Sequence, residues 1–256
     1  MEISINTTII DDSTSKKLVY DFDNFITCEG NIIAYNAAKA VACEHSKAFN
    51  PLFIYGGSGT GKTHLLKAVE GTLNDRNPEQ NVLYVTSEEF INDISAATNT
   101  IDNYGRAMIR ETYRYADVLL IDDIQYLVGE KAALTELGHA IDTLLRNGSQ
   151  IFFSSDKPPK KMKFDEHMKI RMGMGLIAEI KAPDSAMKSN LVRMKAAEHG
   201  LMLRDEVVEY ITFNTGTNLS EVEGAITSII AYLELSKPTV TLEMAKNILK
   251  DVICTE

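Results

Sequence analysis

The chain has 256 residues and a formal net charge of −10, because 36 acidic residues outnumber 26 basic ones. Hydrophobic residues make up 45% and charged residues 24%, which is typical of a globular protein with a sizeable core. No apolar run approaches the roughly 18 residues of a membrane span, and the first residues do not resemble a signal peptide. The acidic balance argues against strong nonspecific binding to duplex DNA, which requires a basic face.

The three cysteines, Cys28, Cys43 and Cys254, are scattered along the chain and lack the spacing of metal ligands. The five histidines are scattered as well, so the sequence predicts no site built from His and Cys ligands. Free thiols are typical of the reducing cytosol, and we therefore expect a cytoplasmic protein without disulfides.

In chain order, a polar stretch at 1–17 predicts a flexible N-terminal arm, and Ala-rich helical spacing follows at 30–47. Short apolar runs then alternate with longer amphipathic stretches, at 52–55, 82–85, 118–121, 151–153 and 176–180. Continuous runs of this length are typical of parallel strands that are buried on both faces. We therefore predict an α/β base over residues 18–182, with a five-stranded parallel sheet and flanking helices.

After Pro183 the strand pattern ends, and residues 183–256 predict a small C-terminal helical lid. The expected helices cover 184–198, 204–213, 219–234 and 241–252. Asp184, Asn218 and Thr241 are residue types that cap helix N-termini, and Gly200 suits the end of the first helix.

The segment from Gly56 to Thr63 fits the pattern G-x-x-x-x-G-K-[ST], between a predicted strand and a predicted helix. Glycines let such a loop curl so that backbone N–H groups point at phosphate oxygens, and the helix N-terminus favours an anion. Lys62 is expected to neutralise the β- and γ-phosphates, and Thr63 to bind Mg²⁺. The predicted nucleotide contacts are Gly57, Ser58, Gly59, Thr60, Gly61, Lys62, Thr63 and His64.

Acidic residues follow two of the predicted strands. Asp122 and Asp123 end the third strand, and Asp156 ends the fourth. Because ligands of parallel sheets bind at the carboxyl ends of the strands, Asp122 is expected to hold Mg²⁺ opposite the loop. Asp123 either takes a catalytic position or caps the next turn, and Asp156 either senses phosphate or sets a turn with the prolines after it.

Several blocks resemble the DnaA family of bacterial replication initiators. They are 50–57 before and into the phosphate loop, 82–90, 119–125, 155–159, and the segment from 20 to 38. The resemblance runs from about residue 18 to 252. It implies the P-loop AAA+ fold and ATP or ADP bound with Mg²⁺ between base and lid. It further implies that Phe25, Ile26 and Asn31 belong to the segment that covers the adenine.

The same resemblance implies assembly of protomers in the ATP state. In the family, one protomer inserts an arginine into the ATP site of its neighbour, and Arg171 occupies that position here. A cation supplied in this way stabilises charge on the γ-phosphate. The alternative is an ordinary exposed arginine near a helix end. Asp123 lies where many AAA+ proteins have a glutamate that orients the attacking water.

Three departures from the family pattern change the expectation. Ser220 replaces the lid arginine that contacts the γ-phosphate, so ATP hydrolysis is expected to be weak or to depend on a partner. The loop at 129–133 has lost an arginine, so we expect only weak binding of single-stranded DNA. No helix-turn-helix pattern follows the lid before Glu256, so we expect no sequence-specific binding of duplex DNA by this chain.

Arg106, Arg110 and Arg114 are spaced four residues apart on one predicted helix face. They line a protomer interface, contact a nucleic-acid strand, or form a solvated face that Glu111 and Asp117 balance. The sequence leaves these alternatives open.

The resemblance gives two readings of function, and Ser220 adds a third. The first is an ATP-binding protein of replication initiation or its regulation, which assembles with itself or with full-length DnaA. The second is a helicase-loader-type ATPase that acts on a replicative helicase. The third is a nucleotide-dependent interaction module with little hydrolysis.

Overall fold

The computed structural model describes residues 20–44, 49–99, 103–236, 240–250 and 252, with only the backbone of 44, 99, 103–106 and 234–236. The predicted arm at 1–17, Cys254 and the side chain of Arg106 lie outside the described residues. Cys28 and Cys43 are free thiols. Within the described part of the chain, no helix combines the length and apolar character needed to cross a bilayer.

The five predicted strands form one parallel sheet. They are β1 (Leu52–Gly56), β2 (Val82–Thr86), β3 (Val118–Asp122), β4 (Gln150–Ser155) and β5 (Leu176–Ile180), in the order β2-β3-β4-β1-β5. Since all strands are parallel and β4 lies between β1 and β3, the carboxyl ends of these three strands meet at one edge. The predicted sheet is confirmed.

Helices follow the strands as the sequence predicts. The base contains α1 (Ile32–Glu44), α2 (Lys62–Arg76), α3 (Ser87–Asn99), α4 (Asn103–Arg114), α5 (Lys131–Asn147) and α6 (Glu166–Gly173). The lid contains α7 (Ser185–Glu198), α8 (Asp205–Asn214), α9 (Leu219–Ser236) and α10 (Leu242–Leu249). Short 3-10 turns follow β3 at Ile124–Leu127 and β4 at Pro159–Lys161.

Two apolar cores cover the two faces of the sheet. Phe53, Leu119 and Phe153 face the core formed with α3, α5 and α6. The alternate residues Leu52 and Leu120 face the core formed with α1 and α2. Both faces of each strand are therefore buried, and this explains why the strands read as continuous apolar runs.

The lid has a core of its own, formed by apolar residues of α7 to α10. The predicted caps are in place: the carboxylate of Asp184 accepts a hydrogen bond from the Met187 N–H at 2.7 Å, and Thr241 Oγ1 accepts one from the Met244 N–H at 3.3 Å. Asn218 Oδ1 accepts from the Ser220 N–H at 2.9 Å at the start of α9. Gly200, with φ of 68°, follows the end of α7.

Candidate functional site

A cleft of about 530 Å³ lies at the carboxyl ends of β1, β3 and β4, with the lid on its far side. Its walls come from the segment before α1, the loop between β1 and α2, the ends of β3 and β4, and the helices α7 and α9. The predicted residues that line it are Phe25, Ile26, Ser58, Gly59, Gly61, Lys62, Thr63, His64, Asp123 and Asp156.

The loop between β1 and α2 depends on two glycines with left-handed backbone angles. Gly59 has φ of 65° and Gly61 has φ of 97°, which other residues adopt at a cost. A Cβ on Gly59 would run into the Asn218 side chain of the lid, and one on Gly61 would run into the Phe25 ring. The glycines therefore allow the loop to curl and the two neighbouring segments to pack directly on it.

Lys62 starts α2 and is 7% exposed. Its ammonium group donates to the carbonyl oxygens of Gly56 at 3.0 Å and Gly57 at 2.8 Å. Burial lowers the pKa of Lys62, and the nearby carboxylates, that of Asp123 first among them, oppose this shift. The loop thus holds a desolvated cation beside the strand ends, where it can neutralise a bound anion.

Asp122, at the end of β3, accepts hydrogen bonds from three hydroxyl groups. Thr63 Oγ1 donates at 2.7 Å, Tyr84 OH donates at 3.0 Å, and Ser154 Oγ donates to the other carboxylate oxygen. Burial, followed by the charge of Asp122, raises the pKa of Tyr84 far above its usual range. The carboxylate is therefore fixed beside the Thr63 hydroxyl, and the pair offers the hard oxygen donors that Mg²⁺ prefers.

Asp123 has φ of 56°, the one left-handed angle among the non-glycine residues that the structure describes. Its N–H donates to Ser154 Oγ at 2.8 Å, and its carboxylate accepts from the Gln125 side-chain amide at 2.9 Å. The carbonyl oxygen of the same Gln125 side chain accepts from the Asp156 N–H at 3.2 Å. Gln125 therefore connects the ends of β3 and β4, a contact that sequence reasoning missed.

The segment before α1 closes one end of the cleft with aromatic rings. His64 Nε2 donates to the Asp21 carbonyl oxygen at 2.8 Å, and its ring meets those of Tyr20 and Phe25 edge-on, each at 5.3 Å between centroids. Because a carbonyl oxygen only accepts, Nε2 carries the proton. Burial lowers the pKa of His64, which favours the neutral ring.

Three predicted contact residues do not line the cleft. Asn31 is buried, and its side chain donates to the Ile26 carbonyl oxygen at 2.9 Å and accepts from the Cys28 N–H at 2.8 Å. Thr60 Oγ1 donates to the Gly57 carbonyl oxygen at 3.0 Å. Asn31, Thr60 and Gly57 therefore shape the two cleft segments through their own backbone contacts, which short-range motifs do not reveal.

Arg171 lies on α6, away from the cleft of its own chain. Its Nε and Nη2 atoms both donate to the Asp142 carboxylate of α5 at 2.7 Å. This pairing lowers the pKa of Asp142 and raises that of Arg171. The guanidinium therefore has a bidentate partner 29 residues earlier in the chain. Its action on a neighbouring protomer and the alternative of a partly exposed arginine near a helix end both stay open.

The arginine face of α4 has a different partner from the one that the sequence indicates. Arg110 Nε lies 3.1 Å from Glu136 of α5, and Arg114 pairs with the other oxygen of the same carboxylate. Glu136 is buried, whereas Asp117 instead accepts from the Asn81 N–H at 2.9 Å. Arg110 and Arg114 therefore join α4 to α5 through Glu136. The proposed roles in a protomer interface or in nucleic-acid contact stay open.

The lid adds cleft residues that sequence reasoning missed. Met187, Leu191 and Lys195 face the cleft at four-residue spacing along α7, and Glu223 faces it from α9. Ser220, the departure noted in the sequence, also lines the cleft. The four-residue spacing in α7 indicates residues on one helix face, although the same spacing is typical of a helix face that packs on the lid core.

This combination of a parallel sheet, a glycine-rich loop that opens a helix, a strand-end carboxylate and a helical lid defines a P-loop protein with the AAA+ fold. The chain belongs to the bacterial DnaA ATPase-domain family, since residues 16–179 match the family model described as the bacterial DnaA ATPase domain.

Curated relatives agree with the family assignment. The chromosomal replication initiator protein DnaA of Caldanaerobacter subterraneus subsp. tengcongensis is 39% identical over 235 residues, which cover 91% of this chain and 52% of the relative. That of Chloroflexus aurantiacus is 40% identical over 91% of this chain and 48% of the relative. The chain therefore spans about half the length of the curated relatives that it matches.

Solved structures give the same result. Domain III of the Thermotoga maritima replication initiation protein DnaA has a TM-score of 0.84 and 37% identity, over 93% of this chain and 99% of that one. AMPPCP-bound DnaA from Aquifex aeolicus has a TM-score of 0.77 and 31% identity, over 92% and 70%. A replication initiator DnaA bound to AMPPCP and single-stranded DNA has a TM-score of 0.76 and 32% identity, over 86% and 69%.

Proposed function

We propose that this chain binds ATP with Mg²⁺ in the cleft and acts in the initiation of DNA replication or in its regulation. It does so by assembling, in the ATP state, with itself or with full-length DnaA. The observation that carries the proposal is the meeting of Lys62, Thr63 and Asp122 at the ends of β1 and β3. The AMPPCP-bound Aquifex aeolicus relative supports a nucleoside triphosphate as the ligand.

The phosphates occupy the loop between β1 and α2, where the backbone N–H groups and the start of α2 favour an anion. Lys62 neutralises part of their charge. The Thr63 hydroxyl and the Asp122 carboxylate would hold Mg²⁺, which proteins usually bind through few side chains. When bound, Mg²⁺ would supply positive charge that offsets the charge of the phosphates.

The nucleoside lies between the aromatic segment before α1 and the lid. Phe25 packs on the loop at Gly61, and Ile26 packs against the lid core. The Leu219 N–H of α9 donates to the Gly59 carbonyl oxygen at 3.1 Å, so lid and loop are already in contact. Nucleotide in the cleft therefore contacts both the base and the lid. ATP and ADP favour different relative positions of these two parts.

Arg171 acts in the cleft of a neighbouring protomer, and Asp123 and Asp156 orient the attacking water there. Ile170, which precedes Arg171 on α6, and Met174, which follows the end of that helix, are 63% and 65% exposed. Exposed apolar side chains beside a charged group suit a surface that another protein covers. This surface supports self-association through α6.

A second candidate is an interaction module that binds ATP and hydrolyses it slowly. Ser220 favours it, because a hydroxyl lines the cleft at the position where the family has an arginine. The curated relatives are replication initiators, which favours initiation over the helicase-loader alternative. Binding of single-stranded DNA is a weaker activity in this proposal, because the loop at 129–133 keeps one lysine.

Sedimentation of the purified chain with Mg²⁺ and either ATP or ADP tests the proposal. We expect self-association with ATP and none with ADP. Arg171→Ala should retain ATP binding and lose at least about tenfold in association, since it removes a charge-assisted contact to the γ-phosphate. Arg193→Ala, which removes an arginine from an exposed ion pair with Asp205 in the lid, is the control. Association that is equal with ATP, with ADP and in Arg171→Ala contradicts the proposal.

A further inference from the structure

The Asp142 carboxylate binds the Nε–Nη2 edge of the Arg171 guanidinium. Both hydrogen bonds, from Nε and Nη2, are 2.7 Å long, and the side chains are 30% exposed for Arg171 and 44% exposed for Asp142. Asp142 lies on α5, and its main-chain carbonyl oxygen accepts from Arg146 Nε at 3.0 Å. Two helices of the base therefore define the direction of the Arg171 side chain.

The side-on geometry leaves part of the guanidinium free. Arginine has five N–H donors in a rigid plane, and Asp142 uses the one on Nε and one on Nη2. The other three N–H donors of Arg171 have no hydrogen-bond partner among the described residues, and the side chain is 30% exposed. An arginine held in this way can donate hydrogen bonds to a second anion while it keeps those to Asp142.

An exposed ion pair contributes little to folding stability, so stability alone is a weak reason for this contact. The Arg171–Asp142 ion pair has a larger effect on the conformational freedom of Arg171, because a long arginine side chain loses many rotamers when it is fixed. A group that must reach a phosphate on another molecule acts better when it is already oriented.

We infer that Asp142 is a positioning residue for Arg171, which it holds ready for the nucleotide of a neighbouring protomer. The inference rests on the proposed role of Arg171 in the cleft of another copy. It assigns Asp142 a function in the protomer that supplies the arginine, and none in the protomer that binds the ATP.

Mixed protomers separate this role from a structural one. Lys62→Ala supplies Arg171 but is expected to bind ATP about 100-fold more weakly, and Arg171→Ala binds ATP but supplies no arginine. With fluorescent labels on each, we expect ATP-dependent association of the mixture and association at least about tenfold weaker for either variant alone. Adding Asp142→Ala to the Lys62→Ala chain should weaken that association by about tenfold. Adding it to the Arg171→Ala chain should not.

Each outcome decides between the hypotheses. Asp205→Ala in the arginine-supplying chain also removes one negative charge from an ion pair with an arginine, but in the lid and away from Arg171, and should retain the association. Equal weakening by Asp142→Ala in either chain means a structural role and overturns the inference. Full association with Asp142→Ala in the arginine-supplying chain overturns it while leaving the proposed function intact. No ATP-dependent association of the starting mixture overturns the proposed role of Arg171 itself, and the inference with it.

Discussion

At the scale of residues, Asp122 joins three elements at the carboxyl edge of the sheet, beside the cleft. It receives hydroxyl groups from the loop, from β2 and from β4, through Thr63, Tyr84 and Ser154. These donors hold the carboxylate oxygens in place, so the proposed Mg²⁺ ligand is already oriented in the structure.

His64 makes the stability of the fold depend on pH. Burial lowers its pKa in the folded chain below the ordinary value of about 6.5. As the pH falls below about 6.5, the unfolded chain takes up a proton at this residue before the folded chain does. The free energy of unfolding therefore decreases as the pH falls from there to the folded pKa.

The prediction is that His64→Gln, which keeps a donor for the Asp21 carbonyl oxygen, loses this part of the pH dependence. Urea unfolding at pH 7.5, 6.5 and 5.5 measures it. The exposed His167, changed to Gln, is the control and should show the wild-type profile. Identical pH profiles for wild type and His64→Gln would mean that burial does not shift this imidazole.

The sequence predicted the acidic residue at the end of β3 and the lysine of the loop, because both belong to short patterns. It did not predict Tyr84 and Ser154 as partners of Asp122, since they lie 38 and 32 residues away in sequence. The contacts of Arg171 with Asp142 and of Arg110 with Glu136 were missed for the same reason. Sequence spacing shows which residues share a face of a helix. Which residue of another helix they contact depends on how the helices pack.

At the scale of elements, a buried lysine connects helices of the lid, although no sequence pattern indicated it. Lys188 of α7 is 8% exposed, and its ammonium group donates to the carbonyl oxygens of Thr212 at 2.7 Å and Thr215 at 2.8 Å. These carbonyls lie at the C-terminal end of α8, where helices leave acceptors unpaired and favour a cation. Lys188 therefore joins α7 to the turn that leads into α9.

We expect Lys188→Met to lower the free energy of unfolding by about 1–3 kcal/mol, because it leaves buried carbonyl groups without a donor. Urea denaturation followed by circular dichroism measures the change. Arg193→Met on the same helix removes a charge whose partner, Asp205, is exposed, and should change the value by less than about 0.5 kcal/mol. A Lys188→Met chain as stable as the Arg193→Met chain would show that the three helices hold together without this contact.

At the scale of the whole molecule, the cleft lies between the base and the lid. The base has two cores on the sheet and the lid has one, and Ile26, Asn218 and Leu219 bridge them beside the loop. The sequence predicted both parts from the change in hydrophobic period after Pro183. It did not predict how closely the lid approaches the loop, because that contact joins Gly59 to residues about 160 positions later in the chain.

The central claim is that Lys62, Thr63 and Asp122 form a site for ATP and Mg²⁺, and calorimetric titration with ATP tests it most directly. The wild-type chain should bind ATP at one saturable site in the presence of Mg²⁺. Lys62→Ala should bind about 100-fold more weakly, since it loses charge-assisted hydrogen bonds in a desolvated loop. Lys163→Ala, which removes an exposed lysine outside the cleft, should bind like wild type. Equal affinity of the wild-type and Lys62→Ala chains, or no binding by the wild type, would contradict the assignment.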